Sequence, residues 1–340
     1  MNNLLNKVFQ KESLSENESF ELFKQFVKGE QDNINITAFL VALKMKGETP
    51  EEVCGAARAL ASEAGDFEKP DYAIADSCGT GGSGKHTLNI STLVSFIAAA
   101  GGLSVAKHGN RSVSSKCGSA DVLSQLGVKI DMTPHTARQC LDQTGVSFLF
   151  APLYHSGVKH VMPVRNALKT RTIFNLLGPL INPAKPEFQL MGVYSPEYCY
   201  AAAESLRLSG CKAAMVVNSA GCDEITLAAP TRAAILKDGK ISEVTFTHAD
   251  FGLPQVPLGA LLGGSPQENA SQFVSLLQGK SEMPIIDTVA ANAGALFYIC
   301  GKASSLAEGV EQAKSIISQG LGFEKLLALK ELSQSAEEIA

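Results

Sequence analysis

From Asp71 onward the sequence alternates short apolar runs with stretches of helical spacing, and this alternation restricts the fold more than any other feature. Strand-like runs fall at residues 72–75, 103–106, 147–150, 189–194 and 213–218, and helical patterns at 91–100, 119–126 and 196–208. Strands joined through helices pair in parallel, because a parallel connection needs a crossover long enough to hold one. The expected architecture is therefore α/β with a mainly parallel central sheet. Residues 225–246 break the rhythm and read as an antiparallel insertion turning at Asp238-Gly239. From Pro284 the pattern returns to helices.

Residues 1–65 carry helical signals only. Ser15 and Glu18 form a capping box, followed by Phe20, Phe23, Phe26 and Val27 on one helical face. Thr49-Pro50-Glu51-Glu52 repeats the start signal with proline at the first helical position, and Gly65 is a stop. These short amphipathic helices suit either a small packing domain or a dimer surface.

Within 340 residues of net charge −5, a general nucleic-acid or anionic-membrane surface is not expected. The eight cysteines are scattered without a CxxC pair, which suits reduced thiols rather than zinc or disulfides. The first residues lack a signal-peptide core, and the most apolar run, 94–105, is too short and glycine-broken to span a bilayer. A cytoplasmic protein is expected.

Against this acidic background, no carboxylate occurs between Asp76 and Asp121, although Lys85, Lys107, Arg111 and Lys116 lie inside. The segment opens DSCGTGGSGKHTLNIST and closes AKHGNRSVSSKCGSAD. Its glycines and hydroxyl residues offer donors to phosphate oxygens. Gly79 to Gly84 fits GxGxxG, but the acid that a ribose needs some 20 residues later is missing. Read as GxxxxGK[ST], it has His86 where a magnesium-binding hydroxyl belongs. What survives is the shared physics of a glycine turn that admits anions ahead of a helix N-terminus. Residues 107–111 follow a second strand, at the end where α/β folds place ligands.

Two further motifs complete the constellation. Asp223-Glu224 follows the strand run 213–218, and adjacent carboxylates suit a magnesium ion shared with substrate phosphates. Arg165, close in sequence to Tyr154, His155 and Lys159, can grip a planar carboxylate with two parallel hydrogen bonds.

Taken together, GTGG with NIST, KHGNRSVSSKCGSADVL, FLFAPLYHSGVKHVMPVR, RTIFNLLGPLINPA and Gly221-Cys222-Asp223-Glu224 closely resemble the anthranilate phosphoribosyltransferases of tryptophan biosynthesis, in order and spacing across most of residues 70–230. The resemblance implies transfer of the phosphoribosyl group of 5-phosphoribosyl-1-pyrophosphate (PRPP) to the amine of anthranilate. It implies that Gly79, Gly82, Ser83, Thr87, Asn89, Ile90, Ser91 and Thr92 hold the donor. Lys107, His108, Gly109, Asn110, Arg111, Ser112, Val113, Ser114, Ser115 and Ser119 share that role. Ser91, Asp223 and Glu224 would serve Mg2+. Gly79, Asn110 and Arg165 would meet anthranilate, with His108, Tyr154 and His155 walling its tunnel. Lys107, Asn110 and Arg165 would carry the catalytic roles. The resemblance also implies a small helical domain over residues 1–70, completed by residues near 165–185 and packed on a larger α/β domain over 71–340, and a homodimer formed through the helical domain. It admits an association with anthranilate synthase components.

One residue departs from the family pattern. Ser83 stands where the family normally has Asp, which removes a negative charge beside the pyrophosphate and a potential metal partner. Cys117 replaces a commoner Ser, a near-isosteric change. Two other readings share the fold: a pyrimidine nucleoside phosphorylase using inorganic phosphate, and a non-catalytic relative that binds nucleic acid. The KHGN and VMPVR segments fit an aromatic acid better than a nucleoside, and the chain lacks the basic surface that nucleic acid would need.

Overall fold

The computed structural model describes residues 2–112 and 116–335. Its centre is a seven-stranded sheet of order β3-β2-β1-β4-β5-β6-β7. The strands are β1 (Ala75–Gly79), β2 (Val105–Gly109), β3 (Val146–Phe150), β4 (Phe188–Gly192), β5 (Ala213–Ser219), β6 (Thr231–Lys237) and β7 (Lys240–Phe246). Strands β1 to β5 pair in parallel, whereas β5–β6 and β6–β7 are antiparallel. The β6–β7 hairpin turns where expected, with Asp238 and Gly239 both at positive φ.

The chain builds outward from β1 in two directions, first to β2 and β3, then to β4 and β5 on the other side. The reversal places a topological switch point between β1 and β4, at whose carboxyl ends open α/β sheets bind ligands. Helices Ile90–Ala100, Pro134–Thr144, Tyr198–Leu208 and Met283–Ile299 pack around the sheet. Phe96, Phe148, Phe273 and Phe297 lie in its core, each contributing about 1.5–3 kcal/mol by burial.

The four N-terminal helices are Asn2–Phe9, Glu16–Lys28, Asn33–Lys46 and Pro50–Ser62. Both capping boxes form, at Ser15 with Glu18 and at Thr49 with Glu52. Phe23, Phe26 and Val27 enter a separate core, which also takes Val161, Val164, Ile173, Phe174, Leu176, Leu177 and Ile181. Phe20 is only partly buried and lies beneath the cations of Lys24 and Arg58. The helix ends at Ser62, and Gly65 instead donates its N–H to the Tyr154 carbonyl at 2.7 Å.

Two corrections concern the sheet. The first strand runs from Ala75 to Gly79, not over 72–75, and the second takes in Lys107, His108 and Gly109, which the sequence placed in a loop. Apolarity failed as a marker here because central strands bury polar groups when partners exist. Asn182 supplies its Nδ2 to Asp76 Oδ2 at 2.9 Å and to the Ala106 carbonyl at 2.8 Å. Helices at Pro134–Thr144 and Pro266–Leu277 were also unread, though Thr133-Pro134 and Ser265-Pro266 repeat the Thr-Pro start signal. All eight cysteines are unpaired. Among the described residues no helix is long and apolar enough to cross a membrane.

Candidate active site

The first loop follows β1. Gly81, Gly82 and Gly84 all have positive φ, a region closed to most L residues, so the turn requires glycine. His86 shares this conformation at φ 53°. The loop is pinned on its far side by Gly263 N–H to the His86 carbonyl at 2.8 Å and by Leu88 N–H to the Leu261 carbonyl at 2.9 Å. It then enters helix Ile90–Ala100 through Asn89. Asn89 makes no side-chain cap; its Nδ2 donates to the Cys117 carbonyl at 3.1 Å and its Oδ1 accepts from Asn269. Asn89 thus ties the first loop to the second.

Asp223 reaches this loop from beyond β5. The turn between them closes with reciprocal backbone bonds of Ser219 and Cys222. The Oδ2 of Asp223 accepts the Gly81 N–H at 2.8 Å. Its position depends on two glycines in register on adjacent strands, Gly79 and Gly192. A Cβ at Gly79 would lie 2.2 Å from Asp223 Oδ2, and one at Gly192 would lie 1.5 Å from the Asp223 carbonyl oxygen. Only paired glycines leave room for the acid over the switch point. Glu224 is buried beside it and accepts from the Thr87 hydroxyl. Burial, reinforced by Asp223, pushes Glu224 up to about 8.

Lys107 rises from β2 into the same region. Its buried ammonium donates to the Ser77 carbonyl at 2.6 Å and to Ser91 Oγ at 3.1 Å. Burial lowers its pKa, while Asp76, Glu224 and Asp223 favour its charge. Asp76 is driven up by burial and held down in part by Lys107 and Asn182. Thr92 lies buried nearby in sequence, its hydroxyl unpartnered.

The second loop is organised by Asp121, whose Oδ2 accepts N–H bonds from Ser112 at 3.0 Å and Gly118 at 2.9 Å. Its Oδ1 takes Arg111 Nη1 at 3.0 Å, and the Arg111 guanidinium lies 5.9 Å from the Phe150 ring centre. Asn110 is exposed, with its carbonyl accepting from Ala120 N–H and Ser119 Oγ, both at 3.2 Å. Ile90 begins the helix and Ser83 Oγ accepts from Lys85 N–H at 3.5 Å. Val113, Ser114 and Ser115 lie outside the described residues.

On the helical side, the buried imidazoles of His108 and His155 meet edge to face at 5.1 Å. His108 Nδ1 bonds the Gly178 carbonyl at 3.0 Å and its Nε2 has no partner. Burial drives His108 down to about 3, with His155 adding to the shift, and His155 down to about 4. The buried Tyr154 hydroxyl has no partner, and burial pushes it up to about 12. Arg165 is partly buried, with its guanidinium 5.5 Å from the Phe174 ring centre and its pKa lowered by burial. Among the described residues no carboxylate pairs with it.

The structure brings both loops and the Asp223-Glu224 pair together, and beside them stand Gly192, Asp76, Asn182, Asp121 and Arg171, to which the sequence reading gave no role. The Arg171 guanidinium donates to the Gly82 carbonyl. Asp121 was visible as the acid ending the positive segment; Gly192 had no local signal.

A mainly parallel sheet with a switch point, joined to a helical bundle, is the two-part architecture of a glycosyl transferase family. Residues 71–323 match the family model described as "Glycosyl transferase family, a/b domain", and residues 2–64 match "Glycosyl transferase family, helical bundle domain". An anthranilate phosphoribosyltransferase of Aeromonas hydrophila subsp. hydrophila is 50% identical over 333 residues, covering 98% of this chain and 97% of that protein. The crystal structure of the anthranilate phosphoribosyltransferase from Thermus thermophilus has a TM-score of 0.93 at 39% identity, covering 97% of this chain and 99% of that one. The anthranilate phosphoribosyltransferase from Saccharomyces cerevisiae in complex with PRPP and Mg shares the fold, with a TM-score of 0.88 at 24% identity over 98% of this chain and 99% of that one. The chain belongs to the anthranilate phosphoribosyltransferase family.

Proposed function

We propose that the crevice above β1, β2 and β4 holds PRPP between its two loops, with anthranilate entering from the side of His108, His155 and Arg165. The enzyme is a pentosyltransferase that moves the phosphoribosyl group of PRPP to the amine of anthranilate, releasing pyrophosphate, in tryptophan biosynthesis. The observation that carries the site assignment is Asp223 seated over Gly79 and Gly192, facing a glycine loop that has no carboxylate of its own.

Chemically, the amine lone pair forms the bond to the anomeric carbon as the bond to the pyrophosphate oxygen breaks, and the amine loses its proton. The ribose gains oxocarbenium character while negative charge grows on the leaving group. Positioning and electrostatic stabilisation supply most of what this step needs. Lys107 and the loop amides provide fixed positive charge and donors. The anthranilate amine already carries a lone pair, so no strong base is needed. Burial keeps both histidines neutral, which suits them as walls of the acceptor tunnel. Arg165, without a carboxylate partner among the described residues, is assigned to that of anthranilate.

The residues fit Mg2+. Asp223 and Glu224 are adjacent oxygen donors whose mutual repulsion helps push Glu224 up, and a hard divalent cation would offset it. Asp223, Glu224 and Ser91 would hold it, and when bound it would neutralise charge on the pyrophosphate. Residues 1–70 with the segment near 165–185 form the helical unit, and 71–340 the phosphoribosyl-transfer unit. The helical unit is assigned to a homodimer contact, supported by Ile34 and Met45, each 80% exposed on one helix with Val41. A cytoplasmic location fits the unpaired cysteines.

The test mixes protein, Mg2+, anthranilate and PRPP and follows the loss of anthranilate fluorescence. No loss, together with phosphate-dependent thymidine cleavage or tight DNA binding, overturns the reading.

A further inference from the structure

Arg171 bridges the two units at the mouth of the site. It sits in segment 170–177, which is anchored in the helical core by Ile173, Phe174, Leu176 and Leu177. Lys44 donates to the Thr170 hydroxyl, and Thr172 N–H is held by Asn175 Oδ1 at 3.0 Å. From this base the guanidinium crosses to the sheet and donates to the Gly82 carbonyl, in the middle of the first phosphate loop. Its carbon lies 4.5 Å from the Tyr194 ring centre, a stacked cation–π geometry that fixes the planar group.

The loop is held at its base beside this contact. Thr80 N–H donates to the Gly192 carbonyl at 2.9 Å, and Thr80 Oγ1 accepts Tyr194 N–H at 3.1 Å. The stacking ring and the loop base are therefore one hydrogen-bonded unit. Tyr194 continues to Tyr198 at 5.3 Å, whose hydroxyl donates to Glu48 Oε2 at 3.2 Å. Glu48 lies between helices Asn33–Lys46 and Pro50–Ser62. The helical unit thus grips the loop twice.

A trans peptide points its C=O and N–H in opposite directions. Binding the Gly82 carbonyl to Arg171 therefore turns the Ser83 N–H away from Arg171. Gly82 has φ 72° and no side chain, so without that bond its peptide plane is free to rotate. A Cβ there would lie 3.7 Å from Arg171 Nε, in ordinary contact, so positive φ rather than lack of space asks for glycine at this position. Among the described residues Arg171 forms no ion pair, unlike Arg111 with Asp121.

We infer that Arg171 is a positioning residue for donor binding: stacked on Tyr194, it holds the Gly82–Ser83 peptide so that the Ser83 amide presents its N–H to the pyrophosphate of PRPP. The inference rests on the donor assignment above. It gives Ser83 a backbone role that does not depend on the side chain at that position.

The experiment measures kcat and both KM values for the wild type, Arg171→Ala and Arg171→Gln by anthranilate fluorescence, with Mg2+-pyrophosphate as a competing probe. Arg171→Ala is expected to raise the PRPP KM and the pyrophosphate inhibition constant together, by about tenfold or more. The anthranilate KM should stay within about twofold. Arg171→Gln retains a neutral donor of similar reach, so it should recover a substantial part of the loss. An unmoved PRPP KM in Arg171→Ala overturns the inference, as does an equal rise in both KM values or Gln behaving like Ala. Should Arg171→Ala fail to fold, Arg171→Gln with Tyr194→Leu gives the same comparison: loss with Leu and retention with Gln supports the clamp, and retention in both refutes it. A wild type inactive with PRPP and anthranilate instead refutes the donor assignment itself.

Discussion

Replacing Arg165 with Ala isolates the acceptor half of the site. In the folded protein this guanidinium has a ring for a neighbour, Phe174 at 5.5 Å, and burial lowers its pKa, so it is a partly desolvated cation with no carboxylate partner among the described residues. A hydrogen bond to a charged group is worth about 1.5–3 kcal/mol, which converts to a rise in anthranilate KM of roughly 10- to 150-fold. Losing the ring contact costs about 0.5–1 kcal/mol of stability, and relieving the unpaired buried charge offsets part of that, so the melting temperature should fall by no more than about 4 °C. Steady-state fluorescence with each substrate varied in turn gives the two KM values. The PRPP KM should hold. Arg165→Lys keeps charge but loses the two-pronged geometry and should fall between wild type and Ala. Anthranilamide sharpens the test, because the wild type should lose affinity for it by a similar factor while Arg165→Ala should treat acid and amide alike. An unchanged anthranilate KM, or an equal rise in both, would falsify the assignment.

Other expectations follow from the same geometry. His108, faced by Lys107 and His155, and His155, set against the backbones of Leu60 and Ile181, stay neutral down to about 3 and about 4. Their unfolded value is about 6.5, so stability is full above that pH and falls as the unfolded chain alone takes up protons between there and the folded values. At pH 5 each histidine should cost about 2 kcal/mol; a melting profile of equal steepness in a His108→Leu/His155→Leu variant would contradict this. Gly79→Ala places a Cβ 2.2 Å from Asp223 Oδ2, so the carboxylate must retreat about 1.2 Å to reach ordinary contact. A misplacement of about that size can cost on the order of 100-fold in rate, and activity within threefold of wild type would show that Asp223 is not needed there. Ser83→Asp adds a negative charge to the loop and should make the PRPP KM depend more steeply on Mg2+. Equal ratios of KM at low and high Mg2+ would remove any electrostatic role for that position.

Much of this protein was legible before folding because it is encoded locally. The helix starts at Ser15 with Glu18 and at Thr49 with Glu52, the Asp238-Gly239 turn and the alternation of strands with helices are patterns within a few residues. The glycines of the first loop announced a tight turn, and Gly81, Gly82 and Gly84 have positive φ. Strand order lies beyond such patterns, because it is fixed by which apolar faces pack together across the whole chain. Only the fold brings Asp223 over Gly79 and Gly192, and Arg171 across to Gly82. It also makes Asp76, Lys107 and His108 strand residues, buried at positions where a polar side chain reads as a loop. Their burial is tolerated through Asn182, the Ser77 carbonyl and Gly178, partners that lie far away in sequence. The order of residues was enough to single out the two loops and the Asp223-Glu224 pair. Their meeting at one crevice belongs to the folded chain, since the reversal of strand order at β1 is what brings three distant segments together.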